Sequence, residues 1–543
     1  MPIRSPDSDA MDAVQIRHDV EKGEIEQVDE VFEQQDVPEI ETVIPDGFVE
    51  TSPPKGWRRI FRRNPDIEFI REVAEADKTV LDPQEVKKVE RKLYWLILPA
   101  LLVDFTFYYV DKTTLSYAAL FGIKKDLNLS GTQYSNLGSI FYIGWLVWAL
   151  PGNLMLAKFP LSKYLAINIM LWGIFLMAQG ASKNYGDMVA LRFVSGMFEA
   201  VADPCFVTMT GTWFTRKQQP TVIGIWYLGN GIGNALGGLL GYGIGHIKTS
   251  LASWRWEFII IGAACSLWAI AMAILIPDAP HSSRWFSRRE CVVIMSRKRH
   301  DHYTVDKRQL HWDQVWDTVK DVKTYLYFFL GFFANVPNGA TTNFGTLLIQ
   351  GFGFNDLNTT LLQVPYGTWI CLVILASIYA SHKIDHLNVR TYLMAGVTLL
   401  TVLGFALVAF TKGVAPRLIG YYLTGSSNAV FVLALSLVSG NVGGTTKKML
   451  TSASIFIGVA VGNIVGPYSF IASEAPSYQT GVIVCMVSRA AEFVVILMLR
   501  AALVIPNKRR DAKYAAGDAR YDPKIHIVDD VTDRKNLHFR YVA

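Results

Sequence analysis

Apolar runs long enough to cross a bilayer recur twelve times along the chain, at 94–118, 134–157, 164–182, 187–210, 221–245, 255–276, 325–349, 358–381, 391–411, 416–439, 448–471 and 479–504. They fall as six, a basic gap, then six. Crossing the ~30 Å hydrocarbon layer as a helix takes about 20 apolar residues. In lipid only helices and closed barrels satisfy every backbone group, and the alternation of a barrel strand is absent here. The pattern predicts an all-α polytopic membrane protein with twelve transmembrane helices in two six-helix pseudo-repeats. Its work must concern something that crosses or enters the bilayer. The expected organisation is a cytoplasmic tail over 1–92, a first bundle over 93–276, a basic cytoplasmic connection over 277–324, a second bundle over 325–505 and a cytoplasmic tail over 506–543.

Composition agrees: 51% of the 543 residues are hydrophobic and 18% charged, against about 25% charged in a soluble domain. The net charge of +5 is mild and gives no reason to expect a nucleic-acid partner. Charge placement says more. Residues 1–50 hold 15 Asp or Glu against 3 Lys or Arg, a net of −12, with few large apolar residues, and read as disordered. Lys87, Lys88, Arg91 and Lys92 precede the first span, ten Lys or Arg lie in 277–324, and Lys508, Arg509 and Arg510 follow the last span. With an even number of spans these segments share one side, and positive residues gather in the cytoplasm. Both termini and the connection are therefore expected there, with Lys124 and Lys125 as the contrary pair on the outer side. No charged start with a short apolar run precedes residue 93, so no cleaved signal is expected. Five cysteines without metal-ligand spacing predict reduced, structural thiols and no metal.

A glycine pattern supports the repeat. In span five Gly229, Gly233, Gly237, Gly241 and Gly245 recur every fourth residue, and in span eleven Gly458, Gly462 and Gly466 do the same before Pro467. Residues four apart share a helix face, so each helix offers a smooth strip for a neighbouring backbone. Spans five and eleven hold corresponding places in the two halves, which predicts a 6+6 repeat with the site at its seam.

Ionisable residues inside spans cost roughly 2.5–3.5 kcal/mol near mid-bilayer and usually face a polar cavity. Span one carries Asp104, Asp111 and Lys112, with Tyr108 on the Asp104–Asp111 face. Lys112 either pairs with Asp111 at the helix end and snorkels outward, or faces the cavity and attracts an anion. Span four carries Arg192, Gly196 and Glu199 on one stripe, followed by Asp203 and the kinking Pro204. Arg192 and Glu199 either lock spans together or serve substrate and proton. In the second half Asn335, Asn338, Thr341, Thr342, Asn343, Gln363, Asn428 and Asn463 are neutral, while Arg489 and Glu492 sit three apart as a pair. Positive charge for a substrate is thus expected in the first half, from Lys112 and Arg192, with Tyr108, Asn335, Asn338 and Gln363 recognising the rest. Glu199, Asp111 and Asp104 are the candidate proton carriers.

Several stretches are familiar: DKTTLSYAALFG (111–122), YSNLGSIFYIGWLVWALP (134–151), LRFVSGMFEA (191–200), SWRWEF (253–258), IPDAP (276–280), GFGF (351–354) and NVGGTTKKM (441–449). On these the chain resembles the major facilitator superfamily, within it the anion:cation symporters, and most closely the fungal allantoate-permease group. The resemblance implies proton-coupled uptake of a small organic anion: allantoate, ureidosuccinate, a dipeptide or a vitamin acid. It also implies roles for a basic residue late in span one and an Arg–x6–Glu pair in span four, here Lys112, Arg192 and Glu199. Three departures stand out. Span one has Lys where many relatives have Arg, which weakens bidentate carboxylate binding. Span seven has asparagines where vesicular relatives have Arg. The loop LAKFPLSKY (156–164) lacks the usual Asp.

The expected function is a secondary transporter working by alternating access as a monomer in the plasma membrane, with a proton as coupling ion and no cofactor. Export of a toxin or metabolite by the same fold, or a nutrient sensor without flux, are the alternatives. An enzyme is not expected, because nucleophile, metal and phosphate motifs are missing. GNGIGNALGG (229–238) evokes a phosphate loop but follows no strand.

Overall fold

The computed structural model describes residues 81–156, 158–215, 218–280, 283–299, 311–383, 390–521 and 530–543, with Phe69, Glu72, Val73 and Ala76. The acidic segment 1–50 and the arginines over 58–63 lie outside the described residues.

The first lobe holds α1 (Pro83–Leu120), α2 (Gln133–Leu156), α3 (Leu161–Gln179), α4 (Tyr185–Glu199), α5 (Ala202–Trp213), α6 (Gln219–Tyr227), α7 (Gly229–Gly245) and α8 (Ser253–Leu275). The connection holds α9 (Arg288–Arg299) and α10 (Trp312–Val319). The second lobe holds α11 (Val322–Gln350), α12 (Asp356–Leu361), α13 (Gln363–Lys383), α14 (Arg390–Phe410), α15 (Val414–Thr424), α16 (Ser427–Asn441), α17 (Thr445–Val465) and α18 (Gln479–Ala515). Among the described residues nine helical stretches are by length and apolarity alone fit to cross a membrane. The other three spans are interrupted or polar. Span four breaks between α4 and α5, just ahead of Pro204, whose missing N–H and ring disfavour a continuous helix. Span five breaks at Leu228, and span seven, α11, carries Pro337 among its asparagines and threonines.

The segments flanking the spans are more ordered than their charge suggests. The helix of span one starts at Pro83 and not near 93: Asp82 caps it by accepting from Gln84 N at 3.0 Å, and Pro83 suits a first turn that needs no N–H donor. The connection is not a plain loop, since α9 and α10 occupy it and α11 begins at Val322. Helix α9 is tied to the start of α1 by ion pairs, Lys92–Glu290 at 2.7 Å and Arg289–Glu85 at 3.0 Å, with Arg297 on Glu90. Helix α18 runs on past Pro506 to Ala515, and residues 530–543 return across the end of the second lobe instead of trailing as a tail. There Asp533 meets Lys323, Lys447 at 3.0 Å and the Tyr541 hydroxyl at 2.6 Å. Burial opposes ionisation of Asp533, but the two lysines hold its carboxyl below the usual range. The first-lobe start, the connection and the chain's last segment thus share one end of the molecule.

Glycines set the close helix pairs. A Cβ on Gly233 would lie 2.7 Å from Thr106 O of α1, and one on Gly229 would lie 2.9 Å from Thr106 N. A Cβ on Gly462 would lie 2.5 Å from Phe332 O of α11, and Gly458 and Gly466 press on the same helix at Phe328 and Val336. Gly237 and Gly241 sit against Thr113 and Tyr117. Helix α7 therefore lies on α1 as α17 lies on α11, the same contact in both halves. SWRWEF folds as a clasp: Arg255 donates to Gly180 O at 3.0 Å and Ser182 O at 2.8 Å and pairs with Asp126 at 3.0 Å. All five cysteines are free thiols.

Gly462→Val should lower stability by about 1–3 kcal/mol or more through overpacking, whereas Gly396→Ala, whose Cβ meets nothing within 4 Å, should leave it nearly unchanged. Thermal melts of the two purified variants in detergent check this contrast.

Candidate functional site

Two voids lie in the seam between the lobes. The first is walled by Tyr108, Tyr109 and Lys112 of α1, Tyr142 of α2, Asp203 of α5 and Tyr227 of α6. Facing them are Asn335 and Asn338 of α11, Asn428 of α16, Asn463 of α17 and Arg489 of α18. The second void shares Tyr109, Asn338 and Asn428 with the first and adds neutral groups, among them Thr341, Thr342, Gln363 and Tyr421.

Lys112 is the first lobe's cation on the first void. Its Nζ stands 3.9 Å from the Tyr108 ring centroid and 5.3 Å from that of Tyr109, within cation–π reach. It is 3.8 Å from Glu199 Oε1, an ion pair too long to be a hydrogen bond. The Tyr108 hydroxyl donates to Asp203 Oδ2 at 2.9 Å, which fixes the ring under the ammonium. Lys112 therefore does not snorkel to the membrane surface. Asp111 turns the other way and accepts from Trp172 Nε1 at 2.7 Å.

The break between α4 and α5 decides which carboxylate meets the void. In one continuous helix Glu199 and Asp203, four apart, would share a face. Here Glu199 ends α4 and is sealed behind Lys112, both oxygens without a hydrogen-bond partner, while Asp203 in the first turn of α5 lines the void. Arg192 is buried and lines neither void. Its guanidinium stands 5.6 Å from the Phe141 ring and interacts electrostatically with Asp111 and Glu199. Asp104 is buried away from both voids, with Oδ2 unpartnered.

The structure thus gathers Lys112, Tyr108, Asn335 and Asn338 on one void and Gln363 on its neighbour. Glu199, Arg192 and Asp111 sit in the layer behind, and Asp104 stands apart. Two charged void residues, and the ring-bearing Tyr109, Tyr142 and Tyr227, were not among the sequence candidates. Asp203 extends the Arg192–Glu199 stripe by one more turn, a signal that was present. Arg489 is paired, as its spacing implied, with Nη1 donating to Glu492 Oε2 at 2.7 Å. Its place on the void adds a second cation there, already paired within its own helix. The second lobe's amides are cross-linked: Asn338 donates to Asn463 Oδ1 at 2.9 Å, and Asn463 to Asn335 Oδ1 at 3.1 Å. Gln363 donates to the Tyr421 hydroxyl at 3.1 Å.

Hydrogen bonds between the lobes gather at the rim away from the connection. Ser116 and Thr346 hydroxyls meet at 2.7 Å, Tyr134 donates to Asn343 O at 2.6 Å, and Ser139 donates to Ile464 O at 2.7 Å. Beside this latch the Lys124 ammonium lies 4.2 Å from the Tyr134 ring centroid and 5.6 Å from that of Phe344. Burial pushes the Lys124 ammonium down from 10.5 to about 8.

A sequence model of the Major Facilitator Superfamily matches residues 100–467. The chain belongs to that superfamily. It is 32% identical over 491 residues to an uncharacterized transporter of Schizosaccharomyces pombe, covering 88% of this chain and 93% of that one. It is 30% identical over 487 residues to the allantoate permease of Saccharomyces cerevisiae, covering 87% and 90%. These likenesses support its place in the fungal allantoate permease-like group. Among solved structures, a bacterial homolog of the human lysosomal transporter Spinster, inward-facing and unoccupied, superposes with a TM-score of 0.54 at 14% identity, covering 78% of this chain and 97% of that one. As a Major Facilitator protein the chain is an integral membrane transporter and not an enzyme.

In this Major Facilitator protein the unfolded chain binds more protons at Lys124 than the folded one between about pH 8 and 10.5, so stability should rise with pH across that window. The gain is at most ~3 kcal/mol. Melting temperatures of wild type and Lys124→Met should converge as pH rises from 8 to 10, and parallel pH profiles would contradict the assignment.

Proposed function

We propose that this protein imports a small organic anion together with a proton, by alternating access between its two lobes. The observation that carries the reading is Lys112: a cation at the seam, cradled by tyrosine rings, with Glu199 3.8 Å behind it and Asp203 on the same void. Likeness to a permease named for allantoate supports a small carboxylate as cargo, such as allantoate, ureidosuccinate, a vitamin acid or a dipeptide. The clustering of Lys and Arg at the connection end supports cytoplasmic termini, and we take the plasma membrane as the site of action and the monomer as the working unit.

In the empty protein Glu199 and Asp203 balance Lys112. Protonation of Glu199 removes one counter-charge, and the cargo carboxylate takes its place on Lys112. Tyr108, Asn335 and Asn338 surround that anionic head. The second void, with Gln363, receives the neutral, hydrogen-bonding remainder of the cargo. Arg192 acts from behind the void, steadying Asp111 and Glu199, and Asp111 shares the proton's field. Asp104 has no part in this cycle. When the lobes rock and the proton leaves to the cytosol, Glu199 reclaims Lys112 and the cargo is displaced. In the state described here the rim latch is shut, so entry from that side requires Ser116–Thr346 and its neighbours to part.

Uptake of labelled carboxylates by yeast expressing the protein tests this. Lys112→Met should weaken cargo binding by about 1.5–3 kcal/mol, roughly 10- to 100-fold. Glu199→Gln should bind cargo while losing the pH dependence of uptake. Wild-type pH dependence surviving in Glu199→Gln refutes the coupling role, and full affinity in Lys112→Met refutes the anion site.

A further inference from the structure

Helix α10 carries an apolar stripe that no other part of the described chain covers. Trp312, Trp316 and Val319 fall at i, i+4 and i+7, hence on one face, and are 68%, 63% and 49% exposed. The opposite face is fastened. Gln314 is buried, donates to Asp530 O at 2.9 Å and accepts from Thr446 N at 3.0 Å. Asp317 pairs with Lys447 at 3.1 Å, and Thr318 is buried. The polar side is thus locked to the start of α17 and to the returning C-terminal segment, so the helix cannot roll to hide its tryptophans. The stripe continues into the membrane surface of the protein. Val322, Tyr325 and Phe329 of α11, spaced three and four apart, are also exposed, and the Tyr325 hydroxyl donates to Val319 O at 2.9 Å across the bend. Exposed Lys320 sits at that bend.

We propose that α10 lies in the plane of the bilayer interface, on the leaflet at the connection end. Trp312, Trp316 and Val319 rest at the boundary of headgroups and acyl chains. A stripe of this composition, continuous with the lipid-facing surface of a spanning helix, fits a lipid surface. Indole rings prefer that depth because the ring is apolar while its N–H reaches water. A short helix with one apolar and one polar face lies flat there, and the Lys320 ammonium is placed to reach anionic headgroups. The helix then anchors to the membrane both the lobe connection and, through Gln314 and Asp317, the inner end of α17.

The test uses full-length protein in bilayers of mixed neutral and anionic phospholipid. Trp312→Cys, Trp316→Cys, Val319→Cys and Asp313→Cys each carry a nitroxide, with unsubstituted protein as the labelling background. Collisions with oxygen, which partitions into lipid, should exceed those with an aqueous nickel chelate severalfold at 312, 316 and 319, and the order should reverse at 313. Equal nickel access at all four positions overturns the proposal. Exclusion of both relaxants at 316 overturns it too, because a protein partner would then cover the face. A second measurement keeps the native backbone and an apolar stripe: Trp312→Phe with Trp316→Phe. The emission lost on that change should be the part quenched by lipid brominated near the glycerol level. Quenching of that part by aqueous iodide alone overturns the proposal.

Discussion

A lysine ammonium held between two helical lobes, far from bulk water, must be balanced at every stage of its cycle, and that requirement organises this molecule. An unpaired charge at membrane depth is costly. Around Lys112 the cost is met by two tyrosine faces and by Glu199 at 3.8 Å, with Asp203 held on Tyr108. None of these partners is in ideal hydrogen-bonding geometry with the ammonium. The site is therefore satisfied but loosely so, as the proposed exchange of Glu199 for a cargo carboxylate requires.

Each lobe is fastened internally on its own side of that seam. Within each, glycine lets backbone meet backbone, at Gly233 on Thr106 and at Gly462 on Phe332. At the connection end each lobe has its own ionic bracket. Helix α9 is tied to α1 through Lys92–Glu290 and Arg289–Glu85, and Asp533 ties Lys447 and Lys323 together under the second lobe. The hydrogen bonds across the seam are neutral, from amides and hydroxyls, and α7 also meets the second lobe backbone to backbone at Gly231 and Gly367.

Much of this was legible in the sequence because bilayer length and apolarity leave little freedom. The span count, the six-and-six division and the family resemblance all follow from local pattern, and Lys112 was conspicuous because a charge is rare there. What was not legible depends on where helices are interrupted and how they pack. The break ahead of Pro204 turns Asp203 into the void and leaves Glu199 behind, where helical spacing alone puts both on one stripe. Arg192 shares that stripe yet sits a layer back. Arg489 reaches the void from α18, a placement set by tertiary packing alone. The ordering of 530–543 was hidden because Asp533 and Tyr541 look like ordinary tail residues until Lys323 and Lys447 are seen to be buried.

The rim latch is made by Ser116, Thr346, Tyr134 and Ser139 donating to hydroxyls and backbone carbonyls. None of those groups carries formal charge, but the Lys124 ammonium beside them lies 4.2 Å from the Tyr134 ring of the first lobe and 5.6 Å from the Phe344 ring of the second. Parting the latch pulls those two rings apart and leaves that cation with one aromatic face instead of two. Any sensitivity of the door to voltage or salt therefore enters through a single lysine, while its hydrogen bonds answer to neither.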